Sequence, residues 1–145
     1  MMRTAVAVVV AAGFAAPACG QEIRWRTDYA AARKDAAAAN RPLLLDFSAE
    51  WCGPCRKMDA TSFRDPAVTA AVNARFVAVR VDADRDAWLV KAANIQAFPT
   101  LLLLSPDGKV IARQEGFADA AGVTAFLRKA PAGSPAVAVQ PAVVA

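Results

Sequence analysis

Two cysteines with only two residues between them, Cys52 and Cys55, lie in the stretch Glu50-Trp51-Cys52-Gly53-Pro54-Cys55-Arg56-Lys57. Such a pair can close and open one disulfide, and that chemistry constrains the local fold. If the pair opens a helix, the first sulfur faces free backbone N–H groups and the positive end of the helix dipole, which favours thiolate over thiol. Cys52 is therefore the expected nucleophile, and Cys55, one turn further in, is expected to be shielded. Pro54 suits a first helical turn, where its missing N–H costs nothing. Gly53 is expected to let the backbone turn sharply and to leave the sulfur uncovered. The preceding run, Leu43-Leu44-Leu45-Asp46-Phe47-Ser48, is apolar, of strand length and bounded by Pro42, as a buried central strand should be. Asp46 is the one charged residue in it.

The sequence contains three cysteines and no histidine. Ser-His-Asp and Cys-His catalysis, and histidine metal ligation, are thereby excluded. So few cysteines cannot form a disulfide scaffold, so Cys52 with Cys55 is a site rather than a staple. Two thiolates could hold a soft ion such as Cu(I), which leaves a thiol metal carrier as a non-enzymatic alternative. The 145 residues suit one domain with terminal extensions, and a hydrophobic content of 57% allows a real core. The formal charge of +4 is spread in sign along the chain, without basic runs interleaved with aromatics, so no nucleic-acid partner is expected.

Residues 1–20 carry one charge, Arg3, then an apolar run and the small residues Ala16-Pro17-Ala18-Cys19-Gly20. This is the pattern of a secretory signal peptide. The run falls short of the roughly 20 residues that a transmembrane helix needs. Cleavage after Ala18 or Gly20 is one expectation; lipidation of Cys19 as the first residue of a mature lipoprotein is the other. Either way the protein is expected to be exported to the periplasm or envelope. Residues 21–130 form the expected domain. Residues 131–145 are uncharged and rich in Pro, Ala and Val, and are expected to be a disordered tail.

Within the domain, Ile23-Arg24-Trp25 is a candidate lead-in strand. Asp28 is the expected cap of an Ala-rich helix over residues 29–40. A helix from near Cys52 to about residue 62 follows the central strand, and Asp65-Pro66 should cap another, to about residue 73. A Val-rich strand over 76–81, an acidic loop and a helix over 86–94 come next. Residues 100–105 and 110–114 read as two strands joined by the turn Pro106-Asp107-Gly108-Lys109. Asp119 should cap a last helix to about residue 129. This order predicts an α/β chain with a mixed sheet, parallel crossovers first and an antiparallel hairpin last, and a site at the carboxyl end of the first central strand.

The run from Asp46 through Cys55, with Trp51-Cys52-Gly53-Pro54-Cys55 at its end, resembles the active-site segment of the thioredoxin family. Phe98-Pro99-Thr100 resembles that family's cis-proline segment, and Gly116 the glycine before the last helix. Residues 56–66, with the Asp-Pro cap, and the longer lead-in helix are similar to the thioredoxin-like domains of bacterial envelope disulfide-interchange proteins. The resemblance implies a thioredoxin fold, a central mixed β-sheet flanked by helices on both faces. It implies a thiol-disulfide oxidoreductase that reduces protein disulfides, with oxidase or isomerase as the alternative on the same fold. Asp46 would be the proton acceptor, and Trp51, Gly53, Pro54, Phe98 and Pro99, the last in cis, would form the substrate surface. Glu50 would be a solvated rim residue. The implied partners are disulfide-containing proteins and a membrane-embedded dithiol electron donor; no cofactor is implied, and a monomer is expected. Many family members carry a lysine in the second strand near the buried aspartate. Ala78 aligns there, so Asp46 is expected to lack a cationic partner.

Overall fold

The computed structural model describes residues 21–132. The expected signal peptide, Cys19 and residues 133–145 of the expected tail lie outside the described residues. The elements are α1 (Tyr29–Ala39), β1 (Leu43–Ser48), α2 (Gly53–Ala60), one tight helical turn (Ser62–Arg64), α3 (Pro66–Arg75), β2 (Val77–Asp82), α4 (Ala87–Ala92), β3 (Thr100–Leu104), β4 (Val110–Glu115) and α5 (Ala120–Leu127).

Three aspartates start helices as their positions predict. Asp28 accepts the Ala31 N–H, Asp65 those of Ala67 and Val68, and Asp119 that of Gly122. Each satisfies donors that the first helical turn leaves without an internal partner. Asp86 differs. It makes no cap bond to α4, and its carboxylate instead accepts the backbone N–H of Asp82 at 3.2 Å, tightening the acidic loop.

The strands form one sheet in the order β2-β1-β3-β4. β1 is parallel to β2 and antiparallel to β3, and β3 is antiparallel to β4. Only the first connection is therefore a parallel crossover, which corrects the expectation of several. α4 has only 6 residues, and the chain after it re-enters the sheet at the carboxyl end of β1, with Thr100 opposite Phe47, so β3 runs the other way.

Alternation along the strands sorts side chains onto two faces. Leu44, Ala78, Leu101 and Leu103 pack beneath Met58 of α2, Val68 and Val72 of α3, and Val123, Phe126 and Leu127 of α5. Leu43, Leu45, Phe47, Val79 and Leu102 pack on the other face beneath Ala32 and Ala36 of α1 and Leu89 of α4. Helices thus cover both faces of a mixed sheet, and all residues of β1 and β3 are buried. Among the described residues, no helix is long and apolar enough to cross a membrane.

The lead-in is not a strand. Only Arg26 bridges the β2 edge, donating its N–H to Ala78 O and accepting from Arg80 N. Arg24 N–H is diverted to the Asn73 side chain, and the Trp25 ring turns inward to meet Phe63 edge-on at 5.2 Å. The aromatic contact and the side-chain acceptor compete successfully with strand pairing.

Candidate functional site

β1 delivers the chain to the start of α2, and Cys52 is the N-cap of that helix, with extended backbone (φ −84°, ψ 108°). Its sulfur accepts the Cys55 backbone N–H at 3.2 Å, so it sits where the helix presents an unpaired donor. The two sulfurs are joined in a disulfide across 5.3 Å between Cα atoms. Both cysteines are buried, at 4% and 3% exposure, so in this oxidised form Cys52 is hardly more open than Cys55. Pro54 occupies the first turn of α2. Gly53 has no left-handed backbone, and a Cβ there would meet nothing within 4 Å. The sharp turn expected of Gly53 is therefore not what its position uses; it leaves a bare, exposed surface beside the sulfurs.

The Phe98–Pro99 peptide bond is cis. Pro99 is buried, and its carbonyl accepts the Gly116 N–H at 2.8 Å, where Gly116 takes the left-handed φ of 83°. Phe98, with Ala83, packs against the cluster of Ala49, Cys52 and Cys55. Trp51 is 62% exposed, meets Phe98 edge-on at 5.7 Å and donates its indole N–H to Asp84 at 3.2 Å. Phe98, with Trp51 packed on it, thus lies beside the disulfide, where Gly53 and Pro54 separate the two cysteines and Pro99 follows Phe98 in the chain. Glu50 is exposed, and its backbone carbonyl accepts from Arg56.

Asp46 lies on the α2 face of β1 and is 2% exposed. The expectation that it lacks a cation is wrong. The parallel register sets Ala78 opposite Leu44 but Arg80 opposite Asp46, and Arg80 Nη2 approaches Asp46 Oδ2 at 3.0 Å. The same Nη2 lies 2.7 Å from Asp59 Oδ1 on α2, and the guanidinium stacks over Trp25 at 4.5 Å. One cation is therefore shared by two carboxylates, and its approach to them is ionic rather than an aligned hydrogen bond. Asp46 Oδ1 has no hydrogen-bond partner among the described residues. Burial pushes the Asp46 carboxyl up to about 7; Arg80 pulls it down, and the charge of Asp59 pushes it up again. Arg80, Asp59 and Trp25 were missed in the sequence, although Arg80 is conspicuous as the one cation among the valines of its strand.

A disulfide at the first turn of a helix, at the carboxyl end of the central strand of a mixed sheet covered on both faces, is the arrangement of the thioredoxin fold. Residues 29–131 match the thioredoxin-like domain family, and the chain belongs to it. Among curated relatives, the thiol:disulfide interchange protein DsbD of Vibrio vulnificus is 35% identical over 92 residues, 59% of this chain and 15% of that protein. The chain thus spans about a seventh of the length of this relative. A chloroplastic thioredoxin-like protein, CITRX1 of Nicotiana benthamiana, is 41% identical over 78 residues, 53% of this chain and 41% of the relative. Among solved structures, a thioredoxin from Thermus thermophilus superposes with a TM-score of 0.67 at 27% identity, covering 75% of this chain and 87% of that one. A DsbH oxidoreductase matches with the same TM-score of 0.67 at 20% identity, over 84% of this chain and 94% of that one, which speaks for the fold alone.

Proposed function

We propose that the protein is a thiol-disulfide oxidoreductase of the bacterial cell envelope that reduces disulfides in exported proteins. The observation that carries this reading is the Cys52–Cys55 disulfide at the N-terminus of α2, with the Cys52 sulfur held by the Cys55 N–H. Reduction of the pair leaves Cys52 at the position where a thiolate is best stabilised. The thiolate attacks one sulfur of a partner disulfide, forming a mixed disulfide and releasing the partner's other sulfur as a thiolate, which takes up a proton. Cys55, deprotonated with Asp46 as acceptor, then attacks Cys52. The second partner sulfur leaves as a thiol, and the Cys52–Cys55 disulfide re-forms. Two electrons have passed to the partner, so a dithiol donor must restore the pair.

The substrate chain lies across Trp51, Gly53, Phe98 and Pro99. An aromatic wall on one side and open backbone on the other suit an extended peptide. Export of the chain rests on residues 1–20, and anchoring through Cys19 would keep the domain at the membrane. The similarity to DsbD, a thiol:disulfide interchange protein, supports disulfide exchange as the chemistry.

The test has two arms. Insulin reduction in the presence of dithiothreitol should accelerate on adding the protein, and its redox potential against glutathione should lie nearer thioredoxin's roughly −270 mV than the roughly −120 mV of a strong oxidant. A potential above roughly −150 mV makes the oxidase reading win. A relative named protein disulfide-isomerase, 26% identical over 97 residues, is the observation behind the isomerase alternative.

A further inference from the structure

A cavity of about 120 Å³ opens at the outer edge of β2, at the end of the sheet remote from the disulfide. Arg24, Arg26, Arg41, Asn73 and the first residues of β2 line it, and no carboxylate does. Each guanidinium carries five N–H donors, and few of them are engaged. Arg26 pairs with Asp35, and Arg41 Nη2 donates to the carbonyl oxygens of Asn73 and Phe76 at 3.0 Å each. The guanidinium of Arg24 has no partner among the described residues. The backbone adds one more donor. Val77 N–H points inward to Pro42 O, whereas Ala78 O accepts from Arg26 outside the sheet, so the Ala78 N–H also points outward. Arg24, next along the lead-in, has turned its own backbone to Asn73 and offers that N–H no strand partner. A pocket lined by three guanidinium groups and no carboxylate fits an oxyanion.

The charge extends beyond the cavity. Arg75 Nη2 donates to Ala130 O at 3.2 Å, which ties the ends of α3 and α5 together and places Arg128 and Lys129 at the same end of the domain. Helix C-termini account for Arg75, Arg128 and Lys129, but Arg24 lies on no helix. The neighbouring carboxylates, Glu22 and Asp35, are both paired, with Arg64 and Arg26. The chain also enters the domain here: Glu22 O accepts from the Asn73 amide, and the residues before it are the apolar leader stretch with its single charge, Arg3.

We propose that this end of the domain docks on an anionic lipid surface, with a headgroup phosphate seated among Arg24, Arg26 and Arg41. Basic side chains at a membrane surface gain from its negative potential, and an acyl anchor on Cys19, three residues before Glu22, would bring such a surface within reach of this end. β1 runs from here to the disulfide, about 20 Å away, so docking turns Cys52 and Cys55 toward soluble partners. The proposal uses the export reading only to say which membrane is near; lipid binding itself is measured independently of export and of disulfide chemistry.

The experiment is co-sedimentation of the purified full chain with vesicles of phosphatidylcholine alone or with added phosphatidylglycerol, across a salt series. Partition should rise with phosphatidylglycerol and fall with salt, and Arg24→Gln should weaken it about fivefold while insulin reduction is unchanged. Lys91→Gln on α4, the same loss of charge elsewhere, should leave partition as it is. Equal partition into both vesicle types overturns the proposal. So does an equal loss in the two variants, which would make net charge the cause. Inorganic phosphate is the third arm: if millimolar phosphate perturbs the Ala78 amide resonance while partition into phosphatidylglycerol vesicles is unaffected, the cavity takes the free anion and the lipid assignment fails.

Discussion

Arg80 and Asp46 face each other directly in the β1–β2 register, with Nη2 3.0 Å from Oδ2, and yet the carboxyl is pushed up to about 7. Desolvation outweighs the ion pair because Arg80 is not Asp46's alone. Asp59 sits 2.7 Å from the same nitrogen, nearer the surface, and its negative charge opposes a second one at Asp46. A half-shared cation cannot offset the full cost of burying a carboxylate.

That relationship predicts how stability depends on pH. Between about pH 4 and about pH 7, native Asp46 keeps a proton that the unfolded chain has released. Stability therefore falls as pH rises through this window and levels off above it. The fall attributable to Asp46 should be about 2–4 kcal/mol, and Asp46→Asn should abolish it. Urea unfolding of both proteins at the two ends of the window measures the difference; parallel curves would show that Asp46 titrates normally.

The proposed roles of the cysteines separate in variants. Cys52→Ser should abolish disulfide reduction, because the attacking sulfur is gone. Cys55→Ser should still attack and should accumulate partners as mixed disulfides, since only resolution is lost. Trapping by Cys52→Ser and not by Cys55→Ser would reverse the assignment.

The β3–β4 turn supplies a stability prediction away from the site. Gly108 has a left-handed φ of 88°, and a Cβ there would overlap the Arg33 guanidinium, which donates to Asp107 O at 3.0 Å. Gly108→Ala should cost about 1–2 kcal/mol from backbone strain and the lost bond. Thermal unfolding reads this directly, and the insulin-reduction rate of the folded protein should not change.

Much of this was legible before the fold was known, and the misses have physical causes. β1 and the cap at Cys52 could be read because an apolar run ending at a Cys-Gly-Pro-Cys turn leaves few options. Alternation along the strand puts Ala78 and Arg80 on one face, but does not say which of them meets Asp46. That depends on the β1–β2 register, which is set in space. α4 is shorter than its sequence suggests, and the direction of β3 is set by its pairing with β1 in space. Gly53 looked like a turn residue because glycine's backbone freedom is a property of the residue, whereas its use is a property of the site.

Arg80→Met should raise the Asp46 carboxyl further, by removing the cation while keeping the packing on Trp25 and Phe63. The pH at which the resolving step reaches half its full rate should move up by about one unit or more. Stopped-flow release of product from a preformed mixed disulfide gives that profile. An unchanged midpoint means that Arg80 is structural.

Asp46→Asn tests the proposed base itself. The carboxyl lies on the α2 face of β1, beneath the helix that carries Cys55, and its Oδ1 has no hydrogen-bond partner among the described residues. A carboxyl near 7 is part ionised at neutral pH, so it can take the Cys55 proton as that thiol attacks, and it can give the proton up afterwards. The amide keeps the shape, leaves Arg80 paired with Asp59 and removes the base. The variant should fold at least as stably at neutral pH, since it no longer buries an ionised carboxylate. Formation of the mixed disulfide should keep its rate, because Cys52 is activated by the helix terminus and not by Asp46. Resolution should slow by about 10² at neutral pH, and the gap should narrow at high pH, where Cys55 loses its proton to solvent unaided. If both steps keep the wild-type rate at every pH, Asp46 is a buried structural carboxylate and the proton leaves by another route.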